Sequence, residues 1–127
     1  MGIRFEKDTI LNWVNEMGKF LRLVVDKWET GVKVDVLEIE QGYRDFFKQE
    51  RITLLEKSAE EIIVFASSLE KKQIRPLAQL LMYDGFIRED KAMLQKAKAL
   101  FEYHMHSSGS FSFEDYGLLA RIDKALK

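Results

Sequence analysis

The 127-residue chain carries 20 basic and 21 acidic side chains, a formal charge of −1, with 46% hydrophobic and 12% aromatic residues. A chain of this size buries roughly two thirds of its unfolded surface, enough for one independent core, and its apolar content argues against disorder. Charge stays balanced locally, with 8 basic and 10 acidic groups in residues 1–50 and 12 and 11 in residues 51–127, so neither the basic face of a nucleic-acid binder nor a patch for anionic membranes is apparent.

The absence of cysteine removes disulfides, thiolate metal sites and a cysteine nucleophile. Met1 to Asp8 alternates charged and apolar residues and has no signal-peptide core. The uncharged stretch Ile62 to Leu69 is too short to span a bilayer. Cytoplasmic residence without membrane contact is the expectation.

Breakers are scarce, with one proline and seven glycines, and helical spacing dominates. Asp8 or the residues just before it open a first helix. Ile10, Val14, Met17, Leu21, Val24 and Trp28 then form an apolar seam that ends near Thr30-Gly31, where glycine supplies the stop. Leu11, Trp13, Phe20, Leu23 and Val25 widen its apolar surface, as in a helix covered on two sides. A second helix is predicted from Val32 to Lys48, with Val36, Ile39, Tyr43 and Phe46 on one face and an antiparallel return on the first. Gly18 and Gly42 interrupt these helices at about 1 kcal/mol each; close backbone approach is one explanation and simple tolerance the other.

Ser58 and Glu61 have capping-box spacing and open a third helix reaching Ser68. Thr53 to Glu56 adds a turn before it. Lys71 to Arg75 reads as a polar connector or frayed turn, with Pro76 in the first turn of a fourth helix, since a deeper proline clashes with a carbonyl. Ile74, Leu77, Leu80, Leu81 and Ile87 mark its buried face. Asp90 caps a fifth helix, whose stripe Met93, Ala97, Leu100, Phe101 and His104 runs to Ser107-Ser108-Gly109. A last helix starts after Ser112, with Glu114 and Asp115 suited to its N-terminal dipole. Tyr116, Leu119, Ala120, Ile122 and Leu126 are its apolar positions. The sequence thus predicts a single all-α domain over 1–127, about six helices in antiparallel hairpins at 8–48, 58–88 and 91–126.

Successive helix pairs invite a search for repeats. Ala97 and Phe101 match the Ala-x3-Phe pair of the tetratricopeptide repeat; Gly85 then falls on its glycine and Leu81 on the large residue four places earlier. Asp84, Arg88 and Gly109 depart from the pattern, and Asp84-Gly85 alternatively marks a turn. Together with the opening Phe5-Glu-Lys-Asp8-Thr-Ile10-Leu11 and the repeat-like end from Leu77 to Leu126, these residues make the chain similar to an uncharacterised family of small bacterial tetratricopeptide-like proteins. That resemblance implies a right-handed stack of helical hairpins. It implies no reaction, and no catalytic residue carries over.

Chemistry-bearing patterns are sparse. His104 and His106 are two residues apart and diverge by about 200° around a helix, so they share no metal on one face. No glutamate stands three places before either, which excludes the di-iron pattern. Glu102 and His106, four apart, suit a surface pair. His104, on the apolar stripe, suits a hydrogen-bonded core histidine. Glu38 with Glu40 and Glu60 with Glu61 diverge around their helices. Ser108-Gly109-Ser110 follows a helix and is no nucleophile elbow. Lys71, Lys72 and Arg75, the densest basic cluster, suit a solvated connector better than a nucleic-acid contact.

The expected function is therefore a non-catalytic protein–protein interaction or scaffold module with no cofactor, metal, nucleic acid or membrane. In the repeat register Gln79, Met82 and Phe86 line the concave surface, and the apolar Met82 and Phe86 favour an apolar helix or peptide as partner; the alternative is that they complete the core. A second expectation is a homodimer formed through the first helix, with Phe20 in the contact beside Trp13, Leu23 and Trp28. A third, less favoured, is a metal protein or enzyme using His104, Glu102 and tyrosines.

Overall fold

A computed structural model describes residues 7–109 and 112–127. Phe5 of the opening motif and Ser110 lie outside them. The described residues form seven helices: α1 Lys7–Glu29, α2 Val36–Phe47, α3 Arg51–Glu56, α4 Ala59–Ser67, α5 Lys71–Arg88, α6 Lys91–Ser108 and α7 Phe113–Leu126. No strand occurs among them.

Helix α1 ends as its glycine requires. Gly31 takes φ +78°, Val32 N donates to Lys27 O at 2.8 Å and Gly31 N to Trp28 O at 3.3 Å, the paired bonds of a Schellman stop. The second helix starts later than predicted. Val32 to Val34 run as a non-helical link, because Asp35 caps α2 by accepting from Leu37 N at 2.9 Å. The link is anchored by Val34, which is buried and whose carbonyl accepts from Arg88 Nη2.

The Ser58–Glu61 capping box is present in both directions, Glu61 N donating to Ser58 Oγ and Ser58 N to Glu61 Oε1. The turn expected before it is a separate helix, α3, which raises the predicted six to seven. The start of α5 also needs correction. Glu70 N donates to Gln73 Oε1 at 3.0 Å, so Lys71 to Arg75 are helical and no connector. Pro76 becomes the sixth residue of the helix, past the turn that needs no donors, and the Lys72 carbonyl loses its helical partner.

Asp84 and Gly85 lie within α5 and mark no turn. The helix ends instead at Glu89, which takes φ +53°, with Asp90 N donating to Gly85 O at 2.9 Å. Asp90 then caps α6 through Met93 N. This tight reversal lays α5 and α6 side by side, the most extensively packed helix pair among the described residues. A Cβ at Gly85 would stand 2.8 Å from Leu94 Cγ and Cδ2, so the glycine sets the spacing.

Helix α1 rests on α5, while α4 and α7 both lie against α6. Covered from several sides, α5 buries Ile74, Leu77, Ala78, Leu80, Leu81 and Met82, more than the single stripe its sequence suggested. The α1–α2 pair is held by aromatic rings. Trp13 meets Phe46 and Phe47 edge-on at 5.8 and 5.4 Å and donates from Nε1 to Phe46 O at 3.0 Å. Phe20 sits 5.5 Å from Phe46 over Gly42, where a Cβ would meet its ring at 2.3 Å. Close approach is thus the reason for Gly42. It is not the reason for Gly18 or Gly117, whose Cβ positions are open.

Candidate functional site

Polar side chains tie the helices together at two places. Asp84, with no exposed surface, accepts from Arg51 Nε and Nη2 at 2.9 and 3.0 Å and from Tyr43 Oη at 2.9 Å. A carboxylate inside an apolar helix is tolerable only when paired and fully hydrogen-bonded, and the two-pronged guanidinium with the phenol meets that demand. Burial, followed by the adjacent Asp84, pushes the Tyr43 phenol well above its ordinary range. The hydrogen bond to Asp84 raises Arg51 in turn, against a smaller opposing effect of burial. The network joins α2, α3 and α5 and serves the fold.

The second tie explains the basic cluster. Arg75 Nε donates to Asp115 Oδ1 at 2.7 Å and Nη2 to Glu114 Oε1 at 2.8 Å, fastening α5 to the first turn of α7. Arg75 is therefore no solvated connector residue, although Lys71 and Lys72 remain exposed. His104 is half-buried nearby. Burial holds its imidazole below the usual histidine range, Asp115 pulls the other way, and Arg75 adds to the depression.

The Tyr43 shift has a measurable consequence. A phenol whose folded pKa is raised stabilises the fold below its unfolded value, and that stability is lost as pH climbs from about 10 toward the folded value. At neutral pH, Tyr43→Phe is expected to cost roughly 1 kcal/mol, one hydrogen bond. Urea denaturation at increasing pH should show wild type and Tyr43→Phe converging above about pH 10. A constant gap across that range would show that the Tyr43 phenol titrates alike in the folded and unfolded chain.

The surface most suited to a ligand lies where α1, α5 and α7 converge. Trp28 and Phe86 stack in parallel, 5.2 Å apart and 4° from coplanar. The Arg121 guanidinium lies 5.5 Å from both ring centroids. Tyr83 closes the cluster, 5.9 Å from Trp28 and 6.5 Å from Phe86; burial raises its phenol, while Arg121 pulls it down. Trp28 and Phe86 stay half-buried and Arg121 exposed. Beside them opens a depression of about 330 Å³ lined by Gly85, Phe86, Glu89, Lys91, Leu94 and Ala125.

The residues singled out from sequence separate here. Phe86 belongs to this ledge. Gln79 is half-buried on the same helix. Met82 has no exposed surface and acts as core. Phe20 is half-buried over Gly42 in the α1–α2 contact, so its ring is engaged within the chain. From the sequence Trp28 reads as the last residue of the first-helix seam and as part of its dimer face, and nothing singles out Arg121. They lie 58 and 35 residues from Phe86, and no local spacing joins them.

Of the residues weighed for metal or acid–base chemistry, Glu102 and His106 share the wall of a second open depression, of about 440 Å³, with Met105, Tyr116 and Leu119. Among the described residues no group of three or more histidine, aspartate or glutamate side chains is placed to hold a metal ion. No helix among them is long and apolar enough to cross a membrane.

No family model, no curated protein and no solved structure matches the chain. The fold defines a small all-helical protein built of packed helix pairs.

Proposed function

We propose that this chain is a non-catalytic interaction module, its hairpins stacked in the tetratricopeptide manner, that receives a peptide segment of another protein on the face shared by α1, α5 and α7. The observation that supports this reading is the half-exposed Trp28–Phe86 stack beneath an exposed arginine, bordered by an open apolar hollow. Tryptophan and arginine dominate binding energy at protein contacts because each offers a large, rigid surface with a polar edge. Arg121 spends its flat face on the two rings and keeps N–H edges for an acceptor. The fitting partner therefore places an aliphatic or aromatic side chain against Phe86 and Ala125, with an acidic group toward Arg121.

Selection of displayed peptides on the immobilised full chain tests the reading. Enriched peptides should combine an apolar anchor with a carboxylate, and Phe86→Ala should weaken them by about tenfold or more. Arg121→Glu should weaken acidic peptides most. Peptides that bind both variants as tightly as wild type would place recognition elsewhere.

A further inference from the structure

Two residues of the peptide face come from α7: Arg121, over the Trp28 and Phe86 rings, and Ala125, at the wall of the hollow. The rings themselves belong to α1 and α5, so the face is complete only while α7 lies in place. Helix α7 is held by few apolar contacts and several charged ones. Of its 14 residues only Leu118 and Ile122 bury an apolar side chain, whereas α6, against which it lies, buries six. Leu119, Ala125 and Leu126 are half-buried. Gly117 lowers the helix propensity of α7 with no packing in return, since a Cβ there meets nothing within 4 Å. The polar ties stand toward both ends, Arg75 on Asp115 and Glu114, and Lys98 Nζ 2.8 Å from Asp123 Oδ1. The Glu114 and Asp123 side chains are 68% and 50% exposed, so salt screens their pairs.

We infer that α7 is a strap latched by charge, which lifts away from α5 and α6 while those helices stay folded, and that the peptide face is assembled and dismantled with it. Segments with few buried apolar side chains and exposed polar ties open at a lower free energy than the core. Lifting α7 takes the Arg121 cation off Trp28 and Phe86 and removes the Ala125 wall of the hollow. A peptide that needs both therefore binds the latched form alone. Its apparent affinity scales with the latched fraction, and it holds the strap down by the same factor. Ionic strength and the grip of Arg75 on its two carboxylates thus set how much of the protein can bind. That consequence rests on the peptide reading; the lifting of α7 does not.

The test is native-state hydrogen exchange of the full chain, followed helix by helix. Amides of α7 should exchange at least about tenfold faster than the buried amides of α5 and α6. Raising NaCl from about 0.02 to about 0.5 M should speed α7 severalfold relative to α5. Arg75→Gln should speed α7 by about tenfold, the effect of losing a charge-assisted hydrogen bond, and Arg75→Lys should restore part of the protection. Lys98→Gln, at a half-exposed position, gives a smaller change of the same sign, while Lys19→Gln, which breaks the exposed pair with Glu16 on α1, should leave α7 unchanged. Gly117→Ala should slow α7 by up to about fivefold, a sign that a folding defect does not produce. Amides of α7 that exchange as slowly as those of α5, or an Arg75→Gln variant in which every helix speeds up equally, overturn the strap. The tightest peptide from the displayed selection should slow α7 exchange in step with its occupancy. Strong binding that leaves α7 exchange unchanged overturns the coupling, whereas failure to select any peptide counts against the peptide face and leaves the exchange result standing.

Discussion

Asp84→Ala is expected to destabilise the protein by about 3–5 kcal/mol in urea denaturation, the cost of leaving a buried cation without its partner. Arg51 is only 14% exposed at its side chain, and it would lose both bonds to the carboxylate, while Tyr43 would keep a buried hydroxyl without its acceptor. Since domains of this size hold about 5–15 kcal/mol in total, much of the variant population should be unfolded at moderate denaturant. Asp84→Asn keeps shape and some hydrogen bonding but no charge, and should fall between. The network is needed less for its net energy than because half of it is worse than none. Removing all of it, in the triple variant Tyr43→Phe, Arg51→Met and Asp84→Leu, should therefore recover most of the lost stability. A triple variant no more stable than Asp84→Ala would show that packing around residue 84, not charge, sets the cost.

Two glycines should respond to alanine with opposite signs. Gly85→Ala gains about 1 kcal/mol in helix propensity, but its methyl would lie 2.8 Å from Leu94 Cγ and 3.2 Å from the Leu94 backbone nitrogen. Leu94 is 3% exposed and has nowhere to go, so α6 must shift. Overpacking of this kind costs about 1–3 kcal/mol, and net destabilisation is expected. Gly117→Ala has the same intrinsic gain in open space and should stabilise by up to about 1 kcal/mol. Gly42→Ala lies between, because the atoms it meets are the far end of the half-buried Phe20 ring. Thermal melts of the three variants give the ordering; a stabilised Gly85→Ala would mean that α5 and α6 are spaced more widely.

The stops and starts of the helices were legible because their causes are local. Gly31, Ser58 with Glu61, Asp90 and Ser112 each act within one turn, and each stands at the end of the helix it was expected to bound. Where local signals competed, the reading slipped. Asp35 is a stronger cap than the apolar run before it suggested, so α2 starts at Val36. The Glu70–Gln73 cap outweighed the proline and the basic run, so α5 starts five residues before Pro76. The aromatic ledge was half legible, through the spacing that set Phe86 on the exposed side of its helix.

The amino-acid order alone determined an all-helical chain, most of its caps and the seams that become core, since hydrogen bonding and apolar periodicity act over three or four residues. Only the tertiary structure decided that α5 is covered from several sides, that Met82 is core, that Asp84 meets Arg51 and Tyr43, and that Arg75 meets α7. Those outcomes join residues 33 to 41 positions apart. Burial and charge pairing are properties of what the rest of the chain places over a residue, and no window along one helix contains that information.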